Sequence, residues 1–397
     1  MSTFCYMPFE TMAVDTTGHV MPCCAYRPEC APFDYTKNPI TADEYFNSTE
    51  LKEIQDTFLN GEVPAGCDGC IMKEYQGMLS KRQKYNNTRI KNKTKWIQNR
   101  TSPLSVEIAV SNRCNLTCVT CDSIFSSAWK QYDRNMTGHF EFNRRQEWAK
   151  NNFRIDDGFM DEILQYAKEN KEMTVELIGG EPLYNKSVIQ FLESFVSANL
   201  PNCLVITTNA TLITDHVLSL LHQVHDLILA CSVDGTDDVY KYVRGFDFDV
   251  VDANIKKLLE LSGAARIAMI PVFSIFNVFN IPRLIMWHNK IATPYTKMRL
   301  DNFVRGPYYA SIENMPPFML EPLVAELEEL TTKNIDTIKE GDLEKLINTL
   351  KKYEVFDLDS QQLSLQWIKK CNIIRGMEIE KIVPGVQTYI EYVNGRS

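Results

Sequence analysis

The sequence offers no apolar run long enough to cross a membrane. Its longest uncharged apolar stretch, Ile267 to Pro282, holds two prolines and two asparagines and falls short of the roughly 20 residues a spanning helix needs. Met1-Ser-Thr-Phe-Cys lacks both a basic n-region and an apolar h-region, so nothing marks the chain for export and the cytoplasm is the expected compartment. Histidine is scarce: His19, His139, His216, His222, His225 and His288 form no ligand cluster with the cysteines. There is no internal repeat and no low-complexity tract. Between Glu74 and Glu107 acidic residues are missing altogether, while Lys81, Arg82, Lys84, Arg89, Lys91, Lys93, Lys95 and Arg100 are all positive. That segment also lacks apolar periodicity and reads as a linker or a solvated helix. Its charge is open to two readings, a solvated surface or a patch for an acidic peptide or a phosphate.

The remainder points to a folded, acidic protein. Its 397 residues are 44% hydrophobic and carry 51 Asp and Glu against 42 Lys and Arg, a net charge of −9. Neither a membrane nor a nucleic-acid partner is expected. The length allows two or three domains, or one barrel with an appendage, at roughly 100–200 residues per domain. The anomaly is twelve cysteines. A reducing compartment disfavours disulfides, and a chain this long does not need them, so metal ligation is the better use. Cys5, Cys23, Cys24, Cys30, Cys67 and Cys70 form one group, Cys114, Cys118 and Cys121 a second, and Cys203, Cys231 and Cys371 stand alone.

From Leu104 onward, β-rich apolar runs alternate with amphipathic stretches. Candidate strands are Leu104–Val110, Thr174–Ile178, Leu204–Thr207, Asp226–Val233, Arg266–Phe273 and Lys297–Phe303. Helical periodicity falls in Asp156–Glu169, Lys186–Val196, Thr214–Val224, Val250–Leu261 and Ile281–Ile291. One helix after each of the first five strands implies parallel strands with helical crossovers, in a doubly wound sheet or a full or partial barrel. Ligand chemistry then belongs at the C-terminal ends of the strands. The stretch from Met319 to Ser397 reads as largely helical and is expected to pack on the barrel.

Directly after the first strand comes Ser111-Asn112-Arg113-Cys114-Asn115-Leu116-Thr117-Cys118-Val119-Thr120-Cys121. Three closely spaced thiols suit a soft metal centre, whereas structural zinc sites want four ligands. A four-iron cluster on three cysteines keeps one iron open to an exogenous ligand; a zinc site completed elsewhere is the alternative. The triplet, its Arg-Cys-Asn-Leu-Thr-Cys context and the strand before it resemble the radical S-adenosylmethionine (radical SAM) superfamily. Gly179-Gly180-Glu181-Pro182, closing the next strand, is similar to the family motif that binds the methionine ammonium of the cofactor. Glycine lets backbone approach closely, and a carboxylate suits an ammonium. The resemblance further implies ribose contacts from Thr208-Asn209 and from Ser232 and Asp234, and a carboxylate partner in Arg244. It departs at Thr120, where the family often has an aromatic residue near the adenine. The implied fold is a partial (β/α)6 barrel over residues 104–310. The implied reaction is reductive cleavage of S-adenosylmethionine on a [4Fe-4S] cluster, giving a 5′-deoxyadenosyl radical that abstracts a substrate hydrogen.

Cys5, Gly18, Cys23 and then Cys67-Asp68-Gly69-Cys70 follow a second spacing. A hairpin at Gly18 would bring Cys5 and Cys23 together, and Cys-x2-Cys presents two sulfurs to one metal. The pattern resembles the SPASM and Twitch auxiliary-cluster modules, although those usually follow the barrel and this one precedes it. The resemblance implies a second [4Fe-4S] cluster on Cys5, Cys23, Cys67 and Cys70, with Cys24 and Cys30 spare; a zinc ribbon is the rival. The expected division is therefore a module at 1–80, a basic linker at 81–103, the barrel at 104–310 and a helical region at 311–397. Cys203, Cys231 and Cys371 read as small buried hydrophobes. By resemblance the enzyme modifies a ribosomally made peptide by a thioether, a carbon–carbon link or an oxidation, with an electron donor such as flavodoxin or ferredoxin. A radical dehydrogenase or mutase of a sugar alcohol or nucleotide is the alternative, and a non-enzymatic iron–sulfur or zinc scaffold is the reading from another class.

Overall fold

The computed structural model describes residues 3–75, 79–92, 100–135, 153–261, 265–333, 335, 338–339 and 341–396. They form two compact units: one from the described residues of Met1–Cys114, Arg144–Ile206 and Ser219–Leu227, the other from those of Asn115–Asn143, Thr207–Leu218 and Ile228–Ser397.

In the first unit six strands lie side by side in the order β3-β2-β1-β4-β5-β6. They are β1 (Thr11–Val14), β2 (His19–Met21), β3 (Phe33–Asp34), β4 (Ser105–Ala109), β5 (Thr174–Ile178) and β6 (Cys203–Thr208), whose last two residues belong to the second unit. β1 and β2 form the hairpin read at Gly18, which takes φ +93° in the turn. β1 then pairs parallel with β4, Ala13 opposite Glu107, and β4 pairs parallel with β5, Glu107 opposite Glu176. Strands from residues 1–80 therefore share a sheet with β4 and β5. Alternation sorts the strands by face. Val106, Ile108, Val175, Leu177, Leu204 and Ile206 are buried, while Ser105, Glu107, Thr174, Glu176, Cys203 and Val205 are only partly covered. Cys203 is thus half-buried, contrary to the expectation.

Helices of this unit begin where the side chains allow. α1 (Met7–Glu10), α2 (Ala42–Asn47), α3 (Thr49–Leu59), α4 (Asp68–Tyr75) and α5 (Lys81–Lys91) precede β4. Thr41 with Glu44, and Ser80 with Gln83, close capping boxes at α2 and α5. α6 (Asp157–Glu169) starts at Asp156, whose carboxylate accepts the Phe159 N–H, and buries Phe159, Met160, Ile163, Leu164 and Ala167 at helical spacing. α7 (Lys186–Ser197) starts at Asn185.

Residues 81–91 of the segment expected as a basic linker form α5, and two of its charges face inward. Arg82 pairs with Glu74 and Arg89 with Glu10, all four side chains under 8% exposed. Arg82 and Asn86 also donate to the Phe4 carbonyl at 2.9 Å each, fixing the chain beside Cys5. Lys93 and Lys95 lie outside the described residues.

In the second unit β7 (Asp226–Cys231, whose first two residues belong to the first unit), β8 (Ala265–Met269) and β9 (Thr296–Met298) lie in that order, β8 and β9 parallel. The Ser232 N–H reaches the Thr208 carbonyl at 2.9 Å, setting the end of β6 beside β7. α8 (Asp215–His222) precedes β7 and is divided between the units. α9 (Asp237–Arg244), which the periodicity did not reveal, ends at Gly245 in the left-handed region. α10 (Phe248–Leu259) and α11 (Ile281–Ile291) follow. After β9 come α12 (Glu321–Thr331), α13 (Asp342–Lys351), α14 (Leu358–Arg375), α15 (Ile379–Ile382) and α16 (Pro384–Asn394). No described helix is long and apolar enough to cross a membrane.

Candidate active site

The chain leaves β4 at Ala109 and enters the cysteine loop at the strand's C-terminal end. Cys114 and Cys118 are buried and Cys121 half-buried. Among the described residues no three His, Cys, Asp or Glu side chains stand close enough to hold a single metal ion. An iron–sulfur cube holds its thiolates further apart than one ion does, and the loop offers thiols alone, the donor type such a cube takes. The donor set therefore fits the cluster implied by the resemblance.

In the first unit, the loop start and the Gly-Gly-Glu turn are pressed together. The Gly180 N–H donates to the Ser111 carbonyl at 2.9 Å and the Glu181 N–H to the Arg113 carbonyl at 2.8 Å. A Cβ on Gly179 would lie 2.5 Å from the Ser111 oxygen, and one on Gly180 2.3 Å from the Arg113 oxygen. Gly179 also takes φ +127°. The glycines thus admit the cysteine loop itself. Glu181 is 2% exposed, and its Oε1 accepts the Leu183 N–H at 3.1 Å.

In the second unit, the rest of the loop is clamped by residues remote in sequence. The Val119 N–H donates to the Val243 carbonyl at 2.8 Å, on the last turn of α9. Trp129 donates to the Cys118 carbonyl and Trp367 of α14 to the Val119 carbonyl, both at 3.0 Å. Arg375, also on α14, reaches the Thr117 Oγ1 at 2.9 Å and the Tyr242 carbonyl at 2.6 Å. The sequence reading missed Trp129, Trp367 and Arg375. Nothing local marks them, because their partners lie far off in the chain and, apart from the Thr117 hydroxyl, are backbone carbonyls.

The expected cofactor residues on this side have protein partners. Thr208 is buried, and its Oγ1 accepts the Ala210 N–H at 3.0 Å. The Asn209 amide donates to Asn115 Oδ1, also at 3.0 Å. Ser232 is half-buried. Asp234 and Arg244 bind each other, Oδ2 to Nε at 2.7 Å, while Asp234 Oδ1 accepts the Val272 N–H at 2.7 Å. Arg244 Nη1 lies 3.5 Å from Cys118 Sγ. Burial alone would lower the Arg244 pKa, yet Asp234 and the Cys118 sulfur outweigh it and hold the guanidinium well above its usual range.

The N-terminal cysteines gather by tertiary contacts. Cys5 and Cys23 share a hydrophobic cluster with Met7, Phe9, Met21, Tyr26, Ile54 and Phe58, and Cys30 and Cys67 pack against it. The Arg27 side chain donates to the Ala65 carbonyl at 3.0 Å, and the Arg27 N–H to the Gly66 carbonyl at 2.9 Å. A Cβ on Gly66 would meet the Tyr26 ring at 2.2 Å. Burial first, and neighbouring thiols after it, push Cys5 and Cys23 up to about 12 and raise Cys67 further. Bare thiols are therefore protonated here, whereas a cationic centre would take them as thiolates.

A second group went unnoticed in the sequence. Lys81 Nζ lies 2.7 Å from Cys24 Sγ and 3.1 Å from Glu107 Oε2. Glu176, opposite Glu107 on β5, is raised to about 7 by burial and by Glu107, with Lys81 pulling the other way. Cys24 is thus paired with Lys81.

Residues 108–278 match the family model described as Radical SAM superfamily. An uncharacterized protein of Methanocaldococcus jannaschii is 27% identical over 134 residues, 33% of this chain and 38% of that protein. Among solved structures, anSMEcpe with bound AdoMet aligns at 15% identity and TM-score 0.42, over 60% of this chain and 64% of that one. Streptococcus suis SuiB bound to precursor peptide SuiA aligns at 17% and 0.41, over 68% and 55%. In each case the match spans less than two thirds of the relative's own length.

Proposed function

We propose that the chain is a radical SAM enzyme with a catalytic [4Fe-4S] cluster on Cys114, Cys118 and Cys121, an auxiliary cluster of SPASM/Twitch type on Cys5, Cys23, Cys67 and Cys70, and a ribosomally made peptide as substrate. The observation that carries this reading is the close backbone fit of Gly179 and Gly180 against Ser111 and Arg113, which ties the Gly-Gly-Glu turn to the start of the cysteine loop. When bound, the cluster and S-adenosylmethionine supply the reductive cleavage that yields the 5′-deoxyadenosyl radical. The chain supplies position. Glu181 offers the cofactor ammonium a buried carboxylate, where a charge-assisted hydrogen bond is strong. Trp129, Trp367 and Arg375 fix the backbone between Thr117 and Val119, so the thiol of Cys118 is preorganised.

Peptide modification is supported by the N-terminal cysteine group and its likeness to modules of peptide-modifying enzymes; flavodoxin or ferredoxin suits the donor. The test is anaerobic reconstitution with iron and sulfide, then dithionite and S-adenosylmethionine. 5′-Deoxyadenosine is expected, and Cys118→Ala should abolish it; a wild-type chain that forms none would favour a scaffold. A peptide encoded beside the gene should lose two hydrogens by mass spectrometry on cross-linking, and an unchanged peptide would count against the substrate.

A further inference from the structure

Arg244 and Asp234 are charged side chains buried within the second unit's share of the site, and the contacts of Arg244 distinguish two roles. A guanidinium that grips a carboxylate of a small molecule presents two parallel N–H bonds to it. Here Nε forms an ion pair with Asp234 Oδ2 at 2.7 Å, without the alignment of a hydrogen bond, and Nη1 donates to Cys118 Sγ at 3.5 Å, a normal length for a hydrogen bond to sulfur. The carboxylate is itself fixed, because its other oxygen accepts the Val272 N–H. Asp234 and Arg244 are 1% and 9% exposed, so water screens little of the interaction. The last turn of α9 also holds the loop, through the Val119 N–H on the Val243 carbonyl, so the residues flanking the guanidinium and the sulfur it faces are hydrogen-bonded to each other.

We infer that Arg244, oriented by Asp234, acts on Cys118 Sγ and raises the reduction potential of the cluster, and is not the partner of the cofactor carboxylate. The inference rests on the proposed radical SAM reading. A hydrogen bond or a cation beside a ligand sulfur draws electron density from the iron and favours the reduced cluster. Arg244 is a positioning residue in this sense: it works through Cys118. Asp234 moderates the effect, since its negative charge offsets the guanidinium it holds. The two side chains should therefore move the potential in opposite directions, a pattern that loss of packing does not produce.

The experiment is a redox titration followed by electron paramagnetic resonance on the reconstituted full chain without S-adenosylmethionine. The catalytic signal is identified as the one lost in Cys118→Ala. Arg244→Gln should shift that signal to a more negative potential, Asp234→Asn to a more positive one, and Arg244→Lys should stay nearer to wild type than Arg244→Gln. If Arg244→Gln leaves Asp234 unpaired and the chain does not fold, the double variant Arg244→Gln with Asp234→Asn removes both charges at nearly constant shape, and a negative shift is expected there too. Unchanged potentials combined with weakened cofactor binding in a calorimetric titration would overturn the inference and return Arg244 to the cofactor. A wild-type chain that assembles a cluster but forms no 5′-deoxyadenosine would sink the proposed function while leaving the potential shifts to decide this point; a chain that assembles none would sink both.

Discussion

The two cysteine groups are built in opposite ways. The triplet comes from one short loop, and distant residues only steady it: Trp129, Trp367 and Arg375 hold its carbonyls and Thr117. The N-terminal group is drawn from separate places in the chain, with Cys5 and Cys23 gathered by the hairpin and Cys67 brought up by Arg27 and Gly66. A local loop keeps its ligands when the fold loosens, whereas a gathered group depends on the packing that gathers it. On the proposed function, metal binding would couple more tightly to folding in the N-terminal group.

The largest effects should come from the ligands. Cys118→Ala is expected to abolish 5′-deoxyadenosine formation, whereas Cys67→Ala should lower iron content and leave that cleavage measurable. Equal loss in both variants would show that the groups are not separable.

Next comes the support of the gathered group. Arg82→Ala leaves the buried Glu74 carboxylate without its cation, with Ser80 still donating to it, and removes one of two donors to the Phe4 carbonyl, and breaking a buried pair typically costs about 3–5 kcal/mol. The exposed pair of Lys256 and Asp252 should contribute under about 1 kcal/mol. Urea unfolding of Arg82→Ala and Lys256→Ala reads the difference, and iron content should fall in the first alone.

A smaller effect is expected at the triplet. Trp367→Phe strips the Val119 carbonyl of its indole donor, which should cost about 1–3 kcal/mol. Cleavage of S-adenosylmethionine should slow without loss of iron; iron loss equal to that of Arg82→Ala would erase the contrast drawn above.

The smallest effect is a pH dependence in the polar group beside the N-terminal module. The Glu176 pKa is raised from 4.5 to about 7. Between those values the folded chain keeps a proton that the unfolded chain has lost, so stability falls as pH climbs through that window and is level above it. Glu176→Gln should remove this slope, and urea midpoints at pH 5 and pH 8 should draw together. A slope that persists would place the titrating group elsewhere.

Much of this was legible in the sequence, for reasons that differ by element. Asp156–Glu169 and Ile281–Ile291 read as helices because apolar residues recur at three and four positions, and the observed helices run over Asp157–Glu169 and Ile281–Ile291. The strands were legible as apolar runs, but their ends were not. Lys297–Phe303 shortens to Thr296–Met298, with Phe303 keeping only an isolated bridge to Phe273. β1 was hidden, since four residues carry little periodicity and its role comes from pairing with β4. Arg82 and Arg89 read as solvated because charge alone does not reveal a buried partner.

By itself the sequence determined the chemistry on offer: three thiols after a strand, a Gly-Gly-Glu turn after the next, and alternating strands and helices. These are local facts, written in spacing and period. Only the tertiary structure decided that Asp234 and Arg244 face each other and Cys118, that α14 props the cysteine loop, and that Lys81 joins Cys24 to Glu107. Such pairings join residues far apart in the chain through single hydrogen bonds and charges, which leave no period in the sequence.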